Sequence, residues 1–169
     1  DLNPQARLAV IEKEITNGVI YVNQKTDLAP GLTLTGPVPR HTPFENTGGQ
    51  FYTDPDGVCV DELTDDQSLY IQCPEGIVVI LGCAHSGVVN ILDAVAEETN
   101  SSTLYAVIGG MHLVNADACR IAQTIAAFKR YDIQKIAPLH CTGSAAVQRL
   151  KETFGHRCLS LGTGSHLCF

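Results

Sequence analysis

Histidines and cysteines follow three apolar segments of the sequence in the same way. IVVIL leads into residues 82–87 (GCAHSG), AVI into residues 109–112 (GGMH), and IAPL into residues 140–143 (HCTG). Imidazole and thiolate are the ligands that zinc prefers, and they also suit iron and copper. A single histidine at such a place is more often a hydrogen-bonded structural residue, but three of the six histidines share it. The pattern therefore leaves two interpretations open, a metal site and a set of hydrogen-bonded structural histidines.

The elements that would position these residues follow from the spacing of apolar side chains. The spacing predicts buried strands over 77–81, 104–110 and 135–139, and helices over 87–98, 116–130 and 144–154. Strands and helices that alternate in this way indicate a largely parallel, helix-covered sheet. In such a sheet the ligand crevice lies beyond the carboxyl ends of the strands, where the three segments occur.

The remaining parts of the chain are less regular. We predict a helix over 4–16, strands over 19–22, 32–36 and 69–72, and a closing strand over 158–162. Residues 37–68 are rich in Pro, Gly, Asp and Thr and predict a long loop, which in a compact domain is more often a lid or binding loop than filler. The chain is thus one domain (1–169), with a helix and connecting strands (1–36), the loop (37–68) and an alternating strand and helix core (69–169).

Length and charge limit the classes of partner. A chain of 169 residues is long enough for one domain with a sizeable core and too short for two. The net charge of −7 argues against nucleic acid or an anionic membrane, and no apolar run approaches the roughly 18 residues that span a bilayer. The seven cysteines form no C-x-x-C pair, which favours a reducing, cytoplasmic compartment. We therefore expect a small-molecule substrate.

The three segments together resemble one branch of a known superfamily. ILGCAHSGVVNIL, AVIGGMHL and IAPLHCTGSAA are similar to the metallo-β-lactamase-fold branch that includes the archaeal dihydropterin–ribofuranosylaminobenzene phosphate synthases. LTGPVPRHTPFE, LTDDQSLYIQ and GTGSHLCF extend the resemblance over roughly residues 30–169. It implies an α+β fold, the αββα sandwich of two αβ halves. The chain resembles the C-terminal αβ half, with a mixed sheet covered by helices on one face.

The resemblance also implies roles for single residues. His140 matches the last histidine ligand of the superfamily, and His85 is the next candidate metal ligand. Cys83 follows a strand and a glycine where many relatives carry a bridging aspartate, so it is a third candidate ligand or a structural residue. His112 is the candidate catalytic residue, either a general acid or a further ligand. Cys141 and Cys83 could equally be small buried filler. The implied cofactor is zinc, or else manganese or iron, with one or two ions in the complete protein.

Five other polar residues could support such a site. Asp65 and Asp66 precede a strand and could orient a histidine N–H, or belong to a solvated turn. Arg40 and His41 lie in the long loop and could meet an anionic substrate, or form an ordinary exposed pair. Asn90 lies one turn into its helix, where it would help to fix the GCAHSG loop.

The primary ligands of the superfamily come from an H-x-H-x-D-H loop, and these 169 residues contain no such string. We therefore expect the missing N-terminal half, or a second copy of the chain in an oligomer, to complete the site. The leading hypothesis is a metal-dependent hydrolase-like or transferase-like enzyme that acts on a phosphorylated or ester-type small molecule. The alternative is a non-catalytic half-domain that serves as a scaffold or association module.

Overall fold

A computed structural model describes residues 19–47, 49 and 51–169. Six strands form one mixed sheet in sequence order. The first four pair antiparallel, and the fourth, fifth and sixth pair parallel. The strands are β1 (Thr26–Ala29), β2 (Leu32–Leu34), β3 (Ser68–Cys73), β4 (Gly76–Leu81), β5 (Ala106–Gly110) and β6 (Lys135–Leu139).

Three helices accompany the parallel strands. Helix α1 connects β4 to β5, α2 connects β5 to β6, and α3 follows β6 after a short 3-10 turn. No helix in the described part of the chain is long and apolar enough to cross a membrane. The helices are α1 (Val88–Thr99), α2 (Ala118–Arg130) and α3 (Ser144–Phe154).

The helices cover one face of the sheet. The strand register places Tyr70, Val79, Val107 and Ile136 in one row across β3 to β6. All four are buried in the hydrophobic core, together with helix residues such as Phe128. Burial of this apolar row against the helices supplies the main favourable term for folding.

The opposite face of the sheet is also apolar but is only partly covered by the described residues. Leu34, Leu69, Ile80 and Ile108 form a row across β2 to β5 on this face. Each is half-buried, and none belongs to the hydrophobic core. The sheet therefore has helices on one face, as the sequence predicts.

Most predicted elements are observed, but two strands are wrong. The strands and helices predicted between residues 69 and 154 occur within two residues of their predicted bounds. Residues 19–22 form no strand, and Cys158, in the predicted closing strand, makes only an isolated bridge to Ile136. The unpredicted strand β1 forms instead, because Gly31 (φ 76) turns the chain back onto β2. The helix predicted over 4–16 lies outside the described residues.

The long loop caps the amino end of α1. Helix α1 receives no capping bond from its own N-cap residue, Gly87. Instead the buried carboxylate of Glu45 accepts hydrogen bonds from the backbone N–H groups of Val89 and Asn90, both at 2.8 Å, and from the Thr42 hydroxyl at 3.0 Å. A carboxylate at this end of a helix satisfies free N–H groups and interacts favourably with the helix dipole.

Asn90 completes the attachment of the loop to α1. Its side-chain oxygen accepts hydrogen bonds from the backbone N–H groups of His41 and Thr42, both at 2.9 Å. Its amide nitrogen donates to the carbonyl oxygen of Ser86 at 2.8 Å. Asn90 therefore holds the GCAHSG loop, as the sequence predicts, and in addition fixes residues 41 and 42 of the long loop.

We expect Gly87→Ala to destabilise the fold by about 2–4 kcal/mol, through backbone strain and overpacking. Gly87 has a φ of 98°, and a Cβ atom there would lie 2.2 Å from Glu45 Oε2. The matched control is Gly162→Ala, since a Cβ at Gly162 meets nothing within 4 Å. Urea unfolding of both variants measures the difference, and equal stabilities would contradict the role assigned to Gly87.

Candidate functional site

The parallel strands bring the three histidine-containing segments to one edge of the sheet. Strands β4, β5 and β6 are hydrogen-bonded neighbours that run in the same direction, so their carboxyl ends lie side by side. The segments that follow them are also bonded to one another. Gly110 N–H donates to the carbonyl oxygen of Gly82 at 3.0 Å, and Met111 N–H donates to Thr142 Oγ1 at 3.2 Å.

Each segment contains a residue with left-handed backbone. Ala84, His112 and His140 have φ values of 57°, 48° and 49°. Residues other than glycine adopt this conformation at a cost of order 1–3 kcal/mol, and such strain is concentrated at active sites and ligand clamps. Three strained residues at the same sheet edge support the view that this edge is a functional site.

Cys83, His140 and Cys141 form a group of three potential metal ligands. The two sulfur atoms and an imidazole nitrogen all lie within 4.8 Å of one another. Cys141 Sγ also donates a hydrogen bond to the carbonyl oxygen of Cys83, at 3.4 Å. Among residues 19–47, 49 and 51–169 this is the one group of three or more His, Cys, Asp and Glu side chains with such spacing. The structure thus joins Cys141 to two of the predicted ligands.

Gly110 allows these side chains to approach. A Cβ atom at Gly110 would lie 2.6 Å from the carbonyl oxygen of Gly82 and 2.7 Å from Cys141 Sγ. Burial, and then the neighbouring thiol of Cys141, raise the pKa of the Cys83 thiol. Without a metal ion, the environment therefore favours the protonated thiol of Cys83.

His85 pairs with His112 and does not belong to the three-residue group. The two imidazole rings meet edge to face, with centroids 4.6 Å apart, and the Phe51 ring lies 6.1 Å from that of His85. Burial, and then the charge of His85, lower the pKa of His112, while a backbone hydrogen bond at Thr47 acts in the opposite direction. A neutral His112 can accept a proton or bind a metal ion, whereas a general acid needs the protonated form that these surroundings disfavour.

The predicted supporting residues act mainly on the GCAHSG loop. Asp66 Oδ2 accepts a hydrogen bond from the backbone N–H of Ser86 at 3.0 Å. Among the described contacts, Asp66 therefore orients the GCAHSG loop and not a histidine ring. The Arg40 guanidinium donates to the carbonyl oxygen of His85 at 3.3 Å and to that of Glu62. It fastens the long loop to the same segment. Asp65 and His41 are exposed.

The sequence reasoning missed one buried cation, Arg120 on α2. Only 5% of its surface is exposed, and Nη1 donates to Asn46 Oδ1 at 2.9 Å. The Nε and Nη2 atoms of Arg120 are buried and have no hydrogen-bond partner among the described residues. Arg120 also forms none of the ion pairs found among these residues. The sequence did contain a signal for the burial of Arg120. Arg120, Thr124 and Phe128 are spaced four residues apart and therefore lie on the same, buried side of α2.

Arg120 lies at the edge of a surface cavity and close enough to influence the histidine pair. The cavity has a volume of about 320 Å³ and is lined in part by Phe44, Asn46 and Asp117. The charge of Arg120 helps to lower the pKa of His112. Burial in turn lowers the pKa of Arg120, opposed by the charges of Glu45 and Asp117. A buried guanidinium that is not fully paired is a natural binding group for an anion.

Sequence comparison relates the chain to two archaeal proteins. It is 34% identical over 131 residues to the 7,8-dihydropterin-6-methyl-4-(β-D-ribofuranosyl)-aminobenzene-5′-phosphate synthase of Methanocaldococcus jannaschii. It is 33% identical over 130 residues to an uncharacterised protein of the same organism. The alignments cover 75% and 74% of this chain but 45% and 47% of the relatives. The chain thus spans about half the length of the curated relatives it matches. No family model matches it.

Structural comparison agrees with this relationship. The crystal structure of Tm1679, a metal-dependent hydrolase of the β-lactamase superfamily, superposes with a TM-score of 0.73 and 30% sequence identity. The match covers 90% of this chain and 59% of that one. The resemblance to the metallo-β-lactamase-fold superfamily and the α+β fold class, both predicted from the sequence, are therefore confirmed. The relatives also support an enzyme-like function and a metal cofactor at the level of the fold.

We expect His112 to make the fold less stable in mild acid. In the unfolded chain a histidine binds a proton near pH 6.5, whereas folded His112 has a lowered pKa. Below about pH 6.5 the unfolded state therefore binds more protons, and stability falls as the pH decreases towards the folded pKa. Urea unfolding at pH 7.5 and 5.5 should show a smaller loss for His112→Gln than for the unchanged chain. The exposed His156→Gln control should retain the full loss, and an unchanged loss in His112→Gln would refute the assignment.

Proposed function

We propose that this chain contributes metal ligands and substrate-binding residues to a metal-dependent hydrolase or transferase that acts on a phosphorylated or ester-type small molecule. The observation that carries the proposal is the convergence of Cys83, His140 and Cys141 within 4.8 Å at the carboxyl edge of the parallel strands. His85 and His112 form their edge-to-face pair at the same edge. Ligands for a metal ion and a residue that can accept a proton are thus available together.

The side chains fit a transition-metal ion. Bond lengths of about 2.3 Å to sulfur and about 2.0 Å to nitrogen place the ligand atoms of one tetrahedral ion roughly 3.5–4 Å apart. Small side-chain rotations would bring atoms within 4.8 Å of one another to that spacing. Such an ion, when bound, would lower the pKa of a water molecule or polarise a phosphoryl or carbonyl oxygen. In this proposal Cys83 and His140 would hold the ion, His85 is a further candidate ligand that lies outside the three-residue group, and His112 would accept a proton.

Arg120 supports a substrate with an anionic group. It is 95% buried, two of its nitrogen atoms have no partner among the described residues, and it adjoins the cavity next to Phe44. Burial lowers the pKa of Arg120 despite the charges of Glu45 and Asp117, so an anionic group of the substrate would offset part of the cost of burying this cation. The related enzyme from Methanocaldococcus jannaschii is named as the synthase of a 5′-phosphate compound. A phosphorylated substrate agrees with the incompletely paired Arg120 and with the name of this relative.

A second αβ half would supply the remaining metal ligands, either from the same longer protein or from a partner copy. The apolar row of Leu34, Leu69, Ile80 and Ile108 is only half-covered by the described residues. Apolar sheet faces pack about 10 Å from another sheet. The same row also favours the second candidate function, an association module without catalysis, because a half-covered apolar face is typical of an interface.

A metal-dependence assay separates the two candidate functions. The full-length gene product should hydrolyse p-nitrophenyl phosphate or its diester as purified, lose the activity after chelation, and regain it with zinc or manganese. We expect His140→Ala to lower kcat/KM by at least about 100-fold, since even residues that only support a metal ligand cost 10- to 100-fold. His156→Ala is the surface control. Absence of any metal-dependent turnover, in a protein that still associates, would favour the scaffold.

The role of Arg120 has its own test. Arg120→Gln should raise KM for a phosphorylated substrate by about 10- to 150-fold, the loss expected for a hydrogen bond to a charged group of 1.5–3 kcal/mol. The KM for a neutral ester should stay unchanged. Arg149→Gln is the matched control, because Arg149 is exposed on α3 and pairs with Glu152. Equal effects on the anionic and neutral substrates would argue against an anion-binding role.

A further inference from the structure

We propose that Cys83 and Cys141 both bind the metal ion as thiolates, together with His140, so that the site is selective for thiophilic ions such as Zn²⁺ over Mn²⁺ and Mg²⁺. This inference rests on the proposed metal-dependent function and specifies its metal. It also assigns a ligand role to Cys141.

The positions of the two cysteines distinguish them from structural cysteines. Cys158 is buried in the hydrophobic core, as a small filler residue would be. Cys83 and Cys141 are half-buried at the sheet edge, and neither belongs to that core. They belong to different segments, one after β4 and one after β6, yet their sulfur atoms lie within 4.8 Å of each other and of an imidazole nitrogen of His140.

The backbone around the group is arranged so that the sulfur atoms can meet. The missing Cβ at Gly110, on the intervening strand, leaves room for Cys141 Sγ. His140, the neighbour of Cys141, is held at a φ of 49°. Gly110 also avoids a clash with the carbonyl oxygen of Gly82, so it serves both the packing of the GCAHSG loop and the approach of Cys141. The left-handed backbone at His140 agrees with three side chains that bind one ligand.

The chemistry of the group selects the metal. It offers two sulfur atoms and one imidazole nitrogen and contains no carboxylate. The nearby carboxylate of Asp66 already accepts a hydrogen bond from the backbone N–H of Ser86. Thiolate ligands favour zinc and similar soft or borderline ions, whereas magnesium and manganese prefer oxygen ligands. The three side chains therefore form a thiophilic half of the metal site, to which further ligands can be added.

Cobalt(II) is a direct probe of sulfur ligation in the 169-residue chain. Titration should produce visible ligand-field bands and a near-ultraviolet thiolate-to-cobalt charge-transfer band. Cys83→Ser and Cys141→Ser should each remove about half of that charge-transfer band, and the double variant all of it. A control with Cys59, Cys119 and Cys168 replaced by serine should keep the full band, because these three cysteines are exposed. Zinc should displace cobalt, and equal concentrations of manganese or magnesium should not.

X-ray absorption at the zinc edge gives a second measurement that needs no variant. The zinc-loaded chain should show two sulfur neighbours at about 2.3 Å. Ligand-field bands without a charge-transfer band, no cobalt uptake by either this chain or the full-length protein, or a zinc spectrum with only nitrogen and oxygen neighbours would each overturn thiolate binding. These results are separable from the proposed function. Metal-dependent turnover could persist without sulfur ligation, and sulfur ligation could be observed in a protein that hydrolyses nothing.

Discussion

Parallel pairing of β4, β5 and β6 is the constraint on which the rest of the site depends. Leu81 pairs with Gly109, and Gly110 pairs with Leu139, so the three strands end at nearly the same level. Each strand then continues into a segment that contains a histidine. Backbone hydrogen bonds connect these segments, for example between Gly110 and Gly82. A shift of one strand would therefore move all three histidine-containing segments. The site therefore depends on sheet register more than on any single loop.

The long loop is held against this edge by polar groups that are themselves buried. Glu45 loses much of its hydration, and burial raises its pKa even though the backbone N–H groups of Val89 and Asn90 act in the opposite direction. The helix end gains a cap, and the loop gains a fixed position near the site. Arg40 adds a second attachment, to the carbonyl oxygen of His85. A segment with few apolar residues can be ordered in this way because each polar contact satisfies a group that would otherwise be buried alone.

The electrostatics of the site differ from those of the chain as a whole. The chain carries a net charge of −7, yet the buried charge of Arg120 contributes to the lowered pKa of His112. Burial raises the pKa of the Cys83 thiol and lowers the pKa of the His112 imidazole, so both groups favour their neutral forms. Neutral imidazole is the form that binds a metal ion, and metal binding would expel the thiol proton.

The sequence by itself determined the alternation of strands and helices after residue 77 and the edge at which His85, His112 and His140 occur, because both follow from local periodicity. It failed for residues 19–22, whose apolar composition resembles a strand, because a strand also needs a hydrogen-bonding partner. Only the tertiary structure decided which side chains meet. Cys141 joins Cys83 and His140, while His85 turns to His112. Side chains within one short segment point in directions set by backbone angles and by contacts between segments far apart in sequence, and neither can be read from spacing along the chain.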